Sequence, residues 1–238
     1  MVRLKGIQRR AFPVMVLLAI FALSSGRLFL LNREIGHMIA LNHPELILDA
    51  GHGGEDGGAV SLSGVPESRI NLAIVLDMED ILGLYGVCPL LLRREDCSLH
   101  DESAENLRQK KVSDLKNRVS IVEHTKNADF ISIHQNSYPD SRQQGLQVFY
   151  APTKNSDNLA ESIQKTVHEK IQPQNNRTAK QIPPSVYLMN HISCRAVLVE
   201  CGFLTNAWEE QLLRDSGYQK HLAAVLCGAW LAERDNKF

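Results

Sequence analysis

From residue 45 onward, short apolar runs that fit strands alternate with longer runs whose apolar positions recur every three or four residues. That alternation confines the chain to an α/β fold: a single domain with a mostly parallel central sheet flanked by helices. The strand candidates are Glu45–Asp49, Pro89–Leu92, Phe130–Ile133, Leu146–Tyr150 and Ala196–Val199. The last is apolar at every position, as expected of a strand covered on both faces. The helix candidates are Glu67–Leu84, with Ile70, Ile74, Met78, Ile81 and Leu82 on one stripe, then Asp114–Lys126, Asp157–Ile171 and Glu209–Glu233, each read as having an apolar stripe. A domain over 45–238 is long enough to bury a sizeable core.

Ahead of it, Arg3, Lys5, Arg9 and Arg10 precede the uncharged stretch Ala11–Gly26. Charge followed by apolar residues is the order of a signal peptide or signal anchor, so 1–31 is expected to direct export and 32–44 to form a linker ending at Pro44. The uncharged stretch covers roughly 24 Å as a helix, against a hydrocarbon core of about 30 Å, and Ala22-Leu23-Ser24 offers a small-x-small cleavage site. Cleavage and anchoring both stay open. Residues 1–33 hold six Lys/Arg and no acid, so of the chain's 26 basic and 27 acidic side chains the rest carries 20 and 27, a net −7. A domain of that sign is a poor non-specific partner for nucleic acid. The five cysteines form no C-x-x-C pair and are odd in number, which suggests neither a disulfide framework nor a cysteine zinc knuckle.

In open α/β sheets ligands gather outside the carboxyl ends of the strands. His52 follows the first strand, His134 follows Ile131-Ser132-Ile133, and Glu200 follows Val197-Leu198-Val199. Two imidazoles and a carboxylate form the ligand set of catalytic zinc, which leaves a fourth position for water. The best candidate for the acid is Glu67, which opens the long helix just after Pro66, a residue suited to a first helical turn. The competing reading of Glu67 is a first-turn acid that complements the helix dipole, worth about 0.3–1 kcal/mol. Residues Gly51–Gly64 contain six of the chain's 15 glycines but neither phosphate-loop pattern. They read as a thin backbone that lets a bulky substrate approach a metal at His52.

Four segments in order, Leu46–Ala59 (LILDAGHGGEDGGA), Glu67, Ser132–Ser137 (SIHQNS) and Leu198–Asn206 (LVECGFLTN), resemble the zinc-dependent N-acetylmuramoyl-L-alanine amidases of the amidase-3 type. The likeness runs from about Leu46 to Ala232. It implies Zn2+ held by His52, Glu67 and His134 at the carboxyl ends of the strands, and Glu200 as catalytic acid-base. The implied reaction is hydrolysis of the amide between N-acetylmuramic acid and L-alanine in peptidoglycan, outside the cytoplasmic membrane. Gln135 and Cys194-Arg195 depart from the family pattern and bear on fine substrate geometry. Asn136 and Arg177 are weaker candidates for holding carbonyl or carboxylate groups of the substrate.

The layout, one domain behind an export segment, resembles the germination-specific amidases that prepare spore-cortex muramic acid for conversion to muramic-δ-lactam. Only 13 residues separate His134 from Val148, too few for the blocking helix of amidases used in cell division. An open groove is therefore expected, with control left to expression, substrate form or an accessory protein; a homodimer is the other partner to consider, and membrane contact is confined to the N-terminal segment. Three other functions remain in play: a cell-wall peptidase with Cys201 as thiol nucleophile, a non-catalytic wall-binding domain, and amidase chemistry on another exported amide.

Overall fold

The computed structural model describes residues 45–234. The expected export segment and the linker lie outside the described residues. In chain order the elements are β1 (Leu46–Ala50), α1 (Glu67–Leu84), β2 (Leu90–Leu91), α2 (Leu107–His124), β3 (Asp129–Asn136), β4 (Gln147–Tyr150), α3 (Ser156–Lys170), β5 (Lys180–Gln181), α4 (Tyr187–Asn190), β6 (Ala196–Phe203), α5 (Ala207–Arg214) and α6 (Ser216–Glu233). Six strands form one sheet in the order β2-β1-β3-β6-β4-β5. Every pairing is parallel except β4 with β6. Among the described residues no helix is long and apolar enough to cross a membrane.

Alternation along the strands sorts their side chains onto two faces. Leu46, Leu48, Ile131, Ile133, Val197, Val199 and Cys201 point to one face and pack with Ile70, Ile74 and Met78 of α1, Leu159 and Ile163 of α3, and Leu226 and Trp230 of α6. Ile47, Phe130 and Leu198 point to the other and pack with Val122 of α2 and Leu188 and Met189 of α4. The sheet is therefore covered on both sides, which is why the Ala196–Val199 half of β6 is continuously apolar.

Helix α1 spans the expected residues, and two other helices differ for local reasons. The run expected at Glu209–Glu233 is two helices, because Asp215 takes an extended backbone and its carboxylate caps α6 by accepting from the Tyr218 amide at 2.8 Å. Helix α2 begins at Leu107 and not at Asp114, started by a reciprocal capping box between Asn106 and Gln109. Its expected apolar stripe is present and short: Val122 is buried, and Leu115 and Val119 are half-buried against the same core. The two-residue strand β5 and the single turn α4 carry no periodic signal in the sequence. No helix occurs in 137–146, between β3 and β4.

Candidate metal centre

The three strands that carry the candidate residues are neighbours in the sheet, so their carboxyl ends meet. β1 pairs with β3 and β3 with β6, in a register that sets His134 beside Glu200. Both residues lie within their strands and not beyond them, because β3 and β6 continue to Asn136 and Phe203, with an irregularity in register between His134 and Asn136. His52 leaves β1 in a left-handed backbone conformation, φ 62°. Glu67 enters from the first turn of α1.

His52, Glu67 and His134 converge so that one donor atom from each lies within 4.8 Å of the others. Glu67 is 3% exposed. Its Oε1 is 2.9 Å from His134 Nδ1, and its Oε2 is 3.4 Å from His52 Nε2. The same carboxylate accepts from the amides of Ala59 at 2.9 Å and Gln135 at 3.0 Å. Burial works to raise its pKa, but the His134 hydrogen bond and the charges of the two imidazoles outweigh it and hold the carboxyl at about 2. For His134, burial is the largest influence and acts downward; the Glu67 partner overcomes it and raises the pKa. An acid kept ionised between two imidazoles is a donor set suited to a divalent cation.

Glu200 differs from these three. Its Oε2 is buried with no hydrogen-bond partner. Burial pushes its carboxyl up, His134 pulls it back, Glu67 adds to the rise, and the result is about 7. A carboxyl with that affinity can both take and return a proton at neutral pH. The next residue, Cys201, points to the opposite, apolar face and is fully buried. Burial and the charge of Glu200 drive its thiol far above the ordinary range. It donates to the Val199 carbonyl at 3.8 Å and has a side-chain hydrogen bond with Gln135. Such a thiol is no nucleophile.

Several supporting residues could not be read from the sequence. Asn71, fully buried on α1, donates through Nδ2 to Gly51 O at 3.1 Å and Glu67 Oε1 at 3.3 Å, and its Oδ1 accepts from Gln135 at 3.1 Å. One amide thus touches the segments of all three candidate ligands. Arg93 donates to the carbonyls of Ala50, Gly51, Ser68 and Glu95 at 2.8–3.2 Å. Arg118 pairs with buried Asp49, which also accepts from Ser132 Oγ at 2.7 Å, and donates to the His52 carbonyl at 2.8 Å. Glu209 accepts from the amides of Gly145 and Phe203, both at 2.8 Å, and so braces the end of β6. The only sequence hint for Glu209 is its place three residues after the helix cap Asn206.

The glycine-rich loop serves the ligands more directly than expected. A Cβ on Gly51 would come within 2.2 Å of the His134 ring, and one on Gly58 within 2.5 Å of Glu67 Oε2. The room left by these glycines is filled by candidate ligands and not held open for substrate. Asn136 and Arg177 are not part of the donor group. Arg177 donates to Gln144 O at 2.8 Å and Gln143 Oε1 at 2.9 Å and lies 4.8 Å over the Phe203 ring, which makes it a brace for that loop.

Comparison with known proteins places the family and the fold. The family model for N-acetylmuramoyl-L-alanine amidase of the amidase-3 type matches residues 46–229. The germination-specific N-acetylmuramoyl-L-alanine amidase of Bacillus subtilis is 32% identical over 182 residues, 76% of each chain. The CwlD amidase from Clostridioides difficile, solved in complex with the GerS lipoprotein, superposes with a TM-score of 0.76 at 35% identity, covering 80% of this chain and 98% of that one. An N-acetylmuramoyl-L-alanine amidase from Clostridium difficile 630 gives 0.69 at 25% identity, covering 83% and 100%.

Proposed function

The chain belongs to the amidase-3 family and is an N-acetylmuramoyl-L-alanine amidase of peptidoglycan; on that premise we propose that it is a zinc enzyme whose ligands are His52, Glu67 and His134 and whose proton carrier is Glu200. The reading rests on one juxtaposition: three zinc-type donors within 4.8 Å, and beside His134 a buried carboxyl oxygen without a partner. Three protein donors leave a place for water, as catalytic zinc requires. When bound, zinc supplies a lowered water pKa, near 7, and polarisation of the scissile carbonyl.

The protein's own groups account for the proton traffic. Glu200 takes a proton from the attacking water and passes it to the L-alanine nitrogen as the carbon–nitrogen bond breaks, which leaves a muramic carboxylate and a free peptide amine. Asn71, Arg93 and Arg118 hold the ligand segments still while this happens. The His52 and His134 side chains stay 27% and 19% exposed, so a glycan-linked peptide can reach the donors. With Cys201 buried and protonated, the thiol-peptidase reading has no support.

Within peptidoglycan, the substrate proposed is spore cortex, cleaved before muramic-δ-lactam formation. The support is the likeness to the germination-specific relative and to CwlD. Export through residues 1–31 and an accessory lipoprotein of the kind bound by CwlD belong to the same proposal.

Mass spectrometry of cortex and vegetative muropeptides after incubation with the protein, with and without chelator, tests it. The expected product is a peptide with a new L-alanine N-terminus and an intact glycan, formed faster from cortex, lost with chelator and restored by zinc. Turnover that survives complete metal removal would refute the zinc reading, and equal rates on both walls would remove the cortex assignment.

A further inference from the structure

Helix α2 packs Leu115, Val119 and Val122 against the sheet, and three of its polar residues converge on the segment that carries His52. Lys111, Asp114 and Arg118 follow at spacings of three and four and so share one face of the helix. Arg118 donates to the His52 carbonyl at 2.8 Å, and Asp114 fixes the Arg118 guanidinium at 2.7 Å. Lys111 Nζ lies 2.8 Å from Asp56 Oδ1. The other oxygen of that carboxylate, Oδ2, is 3.1 Å from His52 Nδ1. His52 holds a positive φ that non-glycine residues rarely adopt, so its placement depends on such partners.

An ionised carboxylate only accepts hydrogen bonds, and therefore the ring nitrogen facing Asp56 must carry a hydrogen. Nδ1 is thus committed to Asp56, and Nε2 is the nitrogen turned toward Glu67 Oε2, 3.4 Å away. We propose that Lys111 is a positioning residue for the metal centre: it fixes Asp56, and Asp56 holds His52 in the tautomer and orientation that turn Nε2 toward the metal. This inference rests on the reading of His52 as a metal ligand. Ligand histidines commonly give their second ring N–H to a carboxylate, and here the chain of contacts extends to a cation on a separate helix. An ordinary surface ion pair would change neither the tautomer of the ring nor the affinity for metal.

The test uses the full-length chain and its Lys111→Met, Lys111→Arg and Asp56→Asn variants, titrated with zinc against a fluorescent chelator. Nitrogen-15 NMR of the metal-free proteins reports the His52 ring nitrogens, assigned by their loss in His52→Gln. Asp56→Asn should weaken zinc binding by about 10–100-fold and Lys111→Met by about 3–10-fold, while Lys111→Arg stays within about twofold of the parent. His52 should be protonated at Nδ1 in the parent and a mixture of tautomers in Lys111→Met and Asp56→Asn. Lys111 is 46% exposed, so its replacement leaves the core untouched. Parental affinity and an unchanged tautomer in Lys111→Met would overturn the inference and leave the zinc reading standing. A parent chain that binds no zinc would overturn both.

Discussion

Replacing Glu200 by glutamine should give a poorer enzyme and, above neutral pH, a more stable fold. Burial raises the Glu200 carboxyl from the ordinary 4.5 to about 7, so the folded protein holds that proton more tightly than the unfolded chain does. The contribution of this proton to stability is fully present below about pH 4.5 and is lost as the pH rises through about 7. At about 1.36 kcal/mol per pH unit, the ionised side chain costs about 3 kcal/mol above pH 7 relative to a neutral side chain of the same shape. Glutamine has that shape and meets the same lack of a partner, which isolates the charge. For a domain of this size the difference corresponds to roughly 6–12 °C in melting temperature. The assay is thermal denaturation of the metal-free protein and its Glu200→Gln variant at about pH 4.5 and about pH 8, paired with turnover and zinc content of the loaded forms. The variant should melt near the parent in acid and well above it in base. Turnover should fall by roughly 10²–10⁴-fold with zinc content unchanged. Equal melting at the higher pH would refute the electrostatic argument, near-normal turnover would make Glu200 structural, and a matching loss of zinc would make it a ligand.

Three further outcomes test the rest of the site. His52→Ala and His134→Ala should each lose metal on dialysis and Glu67→Ala should bind it more weakly, because a three-donor site has no spare; full zinc occupancy in the double histidine variant would sink the ligand assignment. Gly58→Ala places a methyl group within 2.5 Å of Glu67 Oε2 and 2.7 Å of His52 Cδ2 at a φ of +70°, so zinc affinity by chelator competition should drop by about tenfold or more. Cys201→Ala should keep its turnover and its chelator sensitivity while losing about 1–2 kcal/mol in chemical denaturation from the small cavity; iodoacetamide inactivation of the folded parent would contradict the burial of that thiol.

Local pattern alone determined the α/β class, the bounds of α1 and the buried character of β6, because each depends on periodicity within a few residues. Three of the four candidate site residues were legible for a related reason: in a parallel sheet, chemistry collects where strands end, and His52, His134 and Glu200 each follow an apolar run. The start of α2 is also written locally, in Asn106 and Gln109, although its polar composition hides it from a search for apolar stripes. Tertiary structure decided the rest. Nothing in the sequence says that β1, β3 and β6 are adjacent, and without that adjacency four scattered residues are not a site. Asp49 reads as one more strand residue until Arg118, 69 positions away, is found against it. Asn71 reads as a polar interruption of a helix, yet it ties the three ligand segments together. Such groups escape sequence reasoning because a buried polar side chain is stabilised only by partners, and those partners come from distant elements whose approach is set by packing of the whole sheet.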